Sequence, residues 1–255
     1  PNLGPDNQFA AAIDAVPCFS EVHKKLLTEL RPIPPEKCYV TGLGVHLADY
    51  SPWPILDPYN LRDKVPGRML YGNDPARGLF YVLDIFDLVK RQVPEATLHV
   101  TYDFDNQMGM RAWEHSQMAE QLWDCKRRIV NTPGVVNLGA LTREQVICEQ
   151  LECQVHCMPS DPPGIGTQTH GIMQMECGAA GCALVLSDVE AFPEIFSEGA
   201  LILPVVGRYM PNLERRWTVE DYAENVVELM RDDTKWEEAS RKARALAETM
   251  DWSTV

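Results

Sequence analysis

The chain has 255 residues, of which 45% are hydrophobic and 24% charged, and a formal net charge of −14. This composition suits a folded globular protein and argues against wholesale disorder or a repeat array. The negative field repels polyanions, and Lys126-Arg127-Arg128 is too short a basic run to reverse it, so nucleic acid is excluded as a partner. The longest apolar runs, such as Ala183 to Leu186 and Ala200 to Val206, fall short of the roughly 18 residues a bilayer span needs, so no transmembrane segment is expected. A chain of this length can bury roughly three quarters of its unfolded surface, in one large or two modest domains. Eight cysteines without dense regular spacing read as reduced thiols, so a cytoplasmic protein is expected.

In chain order, Ile13 to Phe19 reads as a strand, Val22 to Leu30 as a helix and Lys37 to Thr41 as a strand, one α/β unit too small to fold alone. A Pro-rich passage from Pro52 to Pro66 follows. Arg68 to Tyr71 then reads as a strand. Ala76 to Gln92 reads as a helix whose Leu79, Val82, Leu83, Phe86 and Val89 recur at three- and four-residue spacing, one apolar stripe for a sheet. Strands are expected at Thr97 to Tyr102 and Val135 to Leu138, separated by a polar helix from Met110 to Ile129. Thr142 caps a helix running to Glu152, and Gln154 to Met158 is the next strand. His170 to Ala180 reads as a helix, Ala183 to Leu186 as a buried strand, Ala191 to Phe196 as a short helix and Ala200 to Leu203 as the last strand. Helices at Val219 to Arg231 and Lys235 to Met250 close the chain. Alternation of this kind predicts an α/β fold with a parallel sheet flanked by helices.

Two glycine pairs invite a dinucleotide-binding reading, but the fingerprint needs a third glycine at the mouth of a helix. After Gly42-Leu43-Gly44 that place is Leu47 and proline-rich sequence follows, so a turn between two domains explains the pair better. After Gly164 and Gly166 the place is Thr169. Cys148, Cys153, His156 and Cys157 carry zinc-ligating atoms, but no CxxC pair is present; Cys153 and Cys157 sit in or beside an apolar segment, where buried free thiols are the expected state.

The stretch "GTQTHGIMQMECGAAGC" carries the most specific chemistry. In an open α/β sheet ligands sit beyond the carboxyl ends of the strands, and the loop from Pro159 to Thr169 joins such an end to a helix. The helix start carries about half a positive charge, so an anion or sugar hydroxyl over Thr169, His170 and Gly171 would be held without a basic side chain. Glu176 lies about two turns further in, where its two oxygens can each accept from one hydroxyl of a vicinal diol. The plainer alternative is a solvent-facing helix glutamate. Gly178, Ala179, Ala180 and Gly181 favour the first reading, because residues without bulk suit a helix pressed tightly against something.

The segments "NDPARGLFYVLDIFDLVKRQVPEATLHV", "VVNLGALTREQV", "VHCMPS", "QTHGIMQMECGAAGCALVLSD" and "FPEIFSEGALILP" occur in the order and spacing of the donor domain of glycosyltransferase family 4, which the chain resembles over nearly its whole length. "AIDAVPCFSEVHKKLL" and "EKCYVTGLGVHL" resemble the end of that family's acceptor domain and the crossing out of it, and "AETMDWSTV" the start of the returning helix. The resemblance implies a GT-B architecture, two Rossmann-like domains facing across a cleft, with retention of anomeric configuration and no required metal. It implies an acceptor-side remnant and linker at residues 1–62, a Rossmann-like donor domain at 63–234 and a C-terminal helix at 235–255, with an N-terminal domain missing upstream.

Carried over by position, Glu176 resembles the second glutamate of the family's paired signature, on the ribose hydroxyls. Gln168 stands in place of the first and brings no charge to the sugar. Thr169, His170, Gly171 and Ile172 resemble the turn whose amides meet the donor sugar and phosphates. Arg77 stands where the family has a diphosphate-binding lysine, and Gly72 where it has a companion arginine. The implied catalytic set is Gln168, Glu176 and Arg77; the donor-binding set is Asn73, Arg77, Thr169, His170, Gly171, Ile172 and Glu176, with no metal ligand. The donor would be a UDP- or GDP-linked sugar and the acceptor a glycan, a lipid-linked group or a small molecule, with any membrane contact made peripherally through the missing domain. Rival readings are a non-catalytic sugar-nucleotide-binding or partner subunit and a nucleotide-sugar epimerase of the same architecture.

Overall fold

A computed structural model describes residues 12–31, 33–51, 64–104, 119–160, 169–204 and 218–253. The chain opens with β1 (Val16–Cys18), α1 (Glu21–Leu30), a 3₁₀ turn (Pro35–Lys37) and β2 (Cys38–Val40). The two strands pair in parallel, Val16 opposite Cys38 and Cys18 opposite Val40, over a small core of Cys18, Ile33 and Cys38. A second 3₁₀ turn (Leu47–Tyr50) ends this part.

The main sheet is built from β3 (Arg68–Tyr71), β4 (Thr97–Val100), β5 (Val135–Asn137), β6 (Val155–Met158), β7 (Ala183–Ser187) and β8 (Leu201–Leu203). All pairings are parallel, in the order β5-β4-β3-β6-β7-β8. Central strands of a parallel sheet are covered on both faces, and every residue of β6 and β7 is buried accordingly. The connecting helices are α2 (Leu79–Gln92), α3 (Ala119–Asn131), α4 (Arg143–Glu152), α5 (Ile172–Ala179) and α6 (Phe192–Phe196); α7 (Val219–Arg231) and α8 (Asp233–Glu248) follow. Since parallel crossovers are right-handed, the steps outward from β3 to β5 put α2 and α3 on one face, and the steps from β5 back to β6 and out to β8 put α4 and α5 on the other. α7 packs on α2, and α8 packs on α5.

The expected alternation is present, with boundaries shifted by one to three residues at most element ends. Thr142 caps α4 in a full capping box with Gln145, and α7 runs over the expected span from its own box of Thr218 and Asp221. Two helices begin later than their periodicity suggests, for a backbone reason. Gly78 has φ 106° and divides a 3₁₀ turn (Pro75–Arg77) from α2, while Gly171, at φ 124°, delays α5 to Ile172. The first half of the helix expected from Met110, the Pro52 to Pro66 passage up to residue 63, and Gly164 and Gly166 lie outside the described residues.

The small residues at the end of α5 meet α8 at close range. A Cβ on Gly178 would lie 3.0 Å from the Ala243 carbonyl oxygen. The last carbonyls of the helix are capped by cations and a hydroxyl. Arg244 donates to the Ala179 oxygen and to the Tyr50 oxygen (3.3 Å), Lys64 Nζ to the Ala180 oxygen (2.7 Å) and Ser240 to the Gly181 oxygen (2.6 Å). Cys153, Cys177 and Cys182 are fully buried below Lys64, and Cys157 is buried too. Cys148 is exposed. His156 Nδ1 donates to the Leu70 oxygen (2.9 Å) and its Nε2 accepts from the Gln174 amide (3.2 Å), so both ring nitrogens serve the core.

Gly42-Leu43-Gly44 lies in the irregular segment that leaves β2. Gly42 takes φ 69°, and Gly44 lies against Met250 and the Trp252 ring, where a Cβ would collide. Val45 N–H donates to the Met250 oxygen (2.8 Å) and Trp252 N–H to the Val45 oxygen (3.1 Å), so the C-terminal segment runs beside the segment that leaves β2.

Candidate functional site

From β3 the chain steps outward through β4 to β5, and from β6 it steps the other way through β7 to β8. At such a switch the loops beyond the strand ends diverge and leave a crevice. A cleft of about 610 Å³ lies there. Its walls come from Gly72, Asn73 and Arg77 after β3, from Thr101, Tyr102 and Asp103 after β4, and from Ala140 and Leu141 after β5. Thr169 through Gln174, with Glu176, follow β6 and complete the floor, while Phe19 and Leu43 face it from the β1–β2 unit. All the candidate residues named from the sequence line this one cleft except Gln168, which lies outside the described residues.

Local chemistry explains how the loops are held. Asp74 accepts from the Ala76 N–H (2.9 Å) and Tyr71 donates to the Asp74 oxygen (2.8 Å), fixing the short turn that carries Arg77. Gly78 is required beyond it, since a Cβ there would lie 2.7 Å from the Pro159 oxygen. The position of the companion arginine, Gly72, is filled from α5: a Cβ on Gly72 would collide with the Met173 methyl and approach Thr101 Oγ1 to 3.1 Å.

Glu176 is not a solvent-facing glutamate. Its side chain is 13% exposed, and it accepts from Arg143 Nη1 at Oε1 (2.6 Å) and from Gln150 Nε2 at Oε2 (2.9 Å). Burial alone would pull the Arg143 guanidinium down, but the Glu176 charge and the neighbouring Tyr50 lift it above its ordinary value. Burial and the Glu176 charge together push the Tyr50 phenol well up. Tyr102, on the opposite wall, is pushed up to about 12 by burial and by Asp74 and Asp103.

Hydrogen bonds tie the β1–β2 unit to two cleft residues, Thr169 and His170, and to Glu194 on α6. Ser20 donates to the Thr169 oxygen (2.7 Å), and Glu194 accepts from the Glu21 and Val22 N–H groups (2.8 and 3.1 Å), capping α1 from another part of the chain. Leu43 N–H donates to His170 Nε2 (3.2 Å). His170 is 5% exposed, its Nδ1 has no hydrogen-bond partner among the described residues, and burial lowers its pKa to about 4. Its ring is therefore neutral, with the proton on Nδ1. Arg143, Gln150, Tyr50, Phe19 and Leu43 were not anticipated as parts of the site. Phe19, Leu43 and Arg143 sat within segments singled out in the sequence, but none of the three was given a role there.

No protein-family model and no curated protein matches this sequence. Solved structures do. HepE of Anabaena, in complex with UDP and glucose, aligns with 94% of this chain and 60% of its own at a TM-score of 0.67 and 16% identity. WaaG, a glycosyltransferase involved in lipopolysaccharide biosynthesis, covers 92% of this chain and 58% of its own at a TM-score of 0.65 and 12% identity. The fold is that of a GT-B glycosyltransferase. The pneumococcal O-GlcNAc transferase GtfA, in complex with UDP and GlcNAc, shares this GT-B fold over 96% of the chain at a TM-score of 0.64 and 15% identity, but over 44% of its own length. The chain thus spans three fifths or less of these GT-B proteins. Among the described residues no helix is long and apolar enough to cross a membrane.

Proposed function

We propose that this chain is the donor-binding half of a retaining, metal-independent glycosyltransferase of family 4, taking a UDP- or GDP-linked sugar. The observation that carries the reading is the convergence, at the switch point of the parallel sheet, of the Arg77 turn, the start of α5 and the anchored carboxylate of Glu176 on one cleft. Glu176 would take the ribose hydroxyls, while Arg77 and the amides at the start of α5 would neutralise the departing diphosphate, the part a metal plays elsewhere. The acceptor, whether glycan, lipid-linked group or small molecule, would be held largely by an N-terminal domain beyond this chain, in a cytoplasmic enzyme that meets any membrane through that domain. A non-catalytic sugar-nucleotide-binding subunit is the second reading; Gln168 and Gly72 favour it, since each stands where the resembled family carries a charge, and the Met173 methyl occupies the space beside Gly72.

Calorimetric titration of the chain with UDP and with GDP, wild type against Glu176→Gln, tests the proposal. The substitution keeps the shape and removes the charge, so affinity for the nucleotide that binds should fall by about 1.5–3 kcal/mol, with or without an attached sugar. Unchanged nucleotide affinity in a folded Glu176→Gln protein would reduce Glu176 to a structural residue and remove the basis of the reading.

A further inference from the structure

The carboxylate of Glu176 is held by a closed ring of side chains drawn from three separate parts of the chain. Tyr50, in the 3₁₀ turn after β2, donates from its hydroxyl to Gln150 Oε1 (2.8 Å). Gln150, fully buried on α4, turns its amide nitrogen to Glu176 Oε2 (2.9 Å). Arg143, one end of α4, donates to Glu176 Oε1 (2.6 Å) and returns to the Tyr50 hydroxyl (3.1 Å) and to Asp49 (3.3 Å). Each polar group in the ring has a defined role. Tyr50 accepts from Arg143 and donates to Gln150, and this fixes which end of the Gln150 amide faces Glu176.

The count of lone pairs gives the ring a function. A carboxylate offers about four acceptor positions, two on each oxygen. Arg143 takes one on Oε1 and Gln150 takes one on Oε2, leaving one on each oxygen at the floor of the cleft. Two remaining acceptors on adjacent oxygens match two neighbouring hydroxyls. We infer that Gln150 and Arg143 are positioning residues that lock Glu176 in the one orientation presenting both free acceptors to a vicinal diol, so that they set the selectivity of the cleft for ribose over 2′-deoxyribose. The inference rests on the reading of Glu176 as the ribose-binding residue. It differs from a packing role in a measurable respect: a loosened core weakens every ligand alike, whereas a carboxylate free to rotate loses the second hydroxyl contact and spares the first.

The test compares UDP with 2′-deoxy-UDP, and GDP with 2′-deoxy-GDP, by calorimetry on the wild-type chain, Gln150→Met and Arg143→Met, with circular dichroism to establish folding. The wild type should prefer the ribonucleotide by about tenfold, one hydrogen bond to a charged acceptor. In each variant the preference should shrink to about twofold or less, mostly by loss of ribonucleotide affinity. Should Gln150→Met fail to fold, Arg143→Met carries the same comparison, because its side chain reaches solvent at the rim. A wild type that discriminates and variants that discriminate equally well would overturn the positioning role and leave the ribose reading of Glu176 standing. A wild type that binds ribo- and deoxyribonucleotide alike, or neither, would overturn both.

Discussion

Acid should loosen the wall of the cleft at His170, and the amount follows from its surroundings. The ring is buried and accepts the Leu43 N–H through Nε2, a contact that exists only while that nitrogen is unprotonated. An unfolded histidine takes up its proton near the ordinary value of 6.5; in the folded chain burial delays this to about 4. Between those values the unfolded state binds more protons, so the folding stability contributed by the neutral ring is complete above 6.5 and disappears as pH falls toward 4. The interval is worth at most about 3 kcal/mol. Urea unfolding of the wild type and of His170→Phe, followed from about pH 7 to 4, isolates it, because His156 and the carboxylates titrate in both proteins and cancel. At neutral pH the wild type should be the more stable by about 1–3 kcal/mol, since phenylalanine leaves the Leu43 N–H unpaired. Toward pH 4 that advantage should vanish or reverse. A stability difference that stays constant across the range would refute the assignment of a neutral, buried His170.

Two further outcomes follow from the same geometry. Gly178→Val should destabilise the chain by about 1–3 kcal/mol, because the new Cβ meets the Ala243 backbone oxygen at 3.0 Å and α5 cannot retreat from α8 without straining its capped C-terminus; chemical denaturation measures this, and a neutral effect would mean that the helices separate freely. Nucleotide affinity measured by calorimetry should be the same in EDTA and in magnesium, since Arg77 and backbone amides are assigned the phosphate charge; a large loss in EDTA would contradict that assignment.

The fold was legible where the physics is local or periodic. The apolar stripe of α2, the apolar run from Ala183 to Leu186 in β7, and the Thr142 cap each dictate their element within a few residues, and five βα alternations leave few sheets but a parallel one. The small residues after Glu176 also announced the close helix contact that Gly178 makes with α8. What escaped was the company Glu176 keeps. Arg143, Gln150 and Tyr50 stand 33, 26 and 126 positions away in the chain, and an arginine in the first turn of a polar helix has no pattern that points to a partner on another helix. The breaks at Gly78 and Gly171 were hidden for a different reason. Periodicity records which side chains face the sheet and is silent about a backbone that leaves the helical region beside it. The cap that Glu194 provides for α1 was equally out of reach, because a capping carboxylate is sought beside the helix in sequence and this one arrives from 173 positions away.

The bridge between Val45 and the C-terminal segment bears on how the Leu43 side of the cleft is seated. A single extended segment swivels about its own bonds and lets whatever it carries point anywhere. Here the segment leaving β2 is tied to a second one at one residue, Val45, whose N–H donates to the Met250 oxygen and whose oxygen accepts from the Trp252 N–H, with the Trp252 ring behind Gly44. The tie comes from the far end of the sequence. Cutting the chain before Met250 would take away both hydrogen bonds and the ring together, and with them a rivet two residues from Leu43.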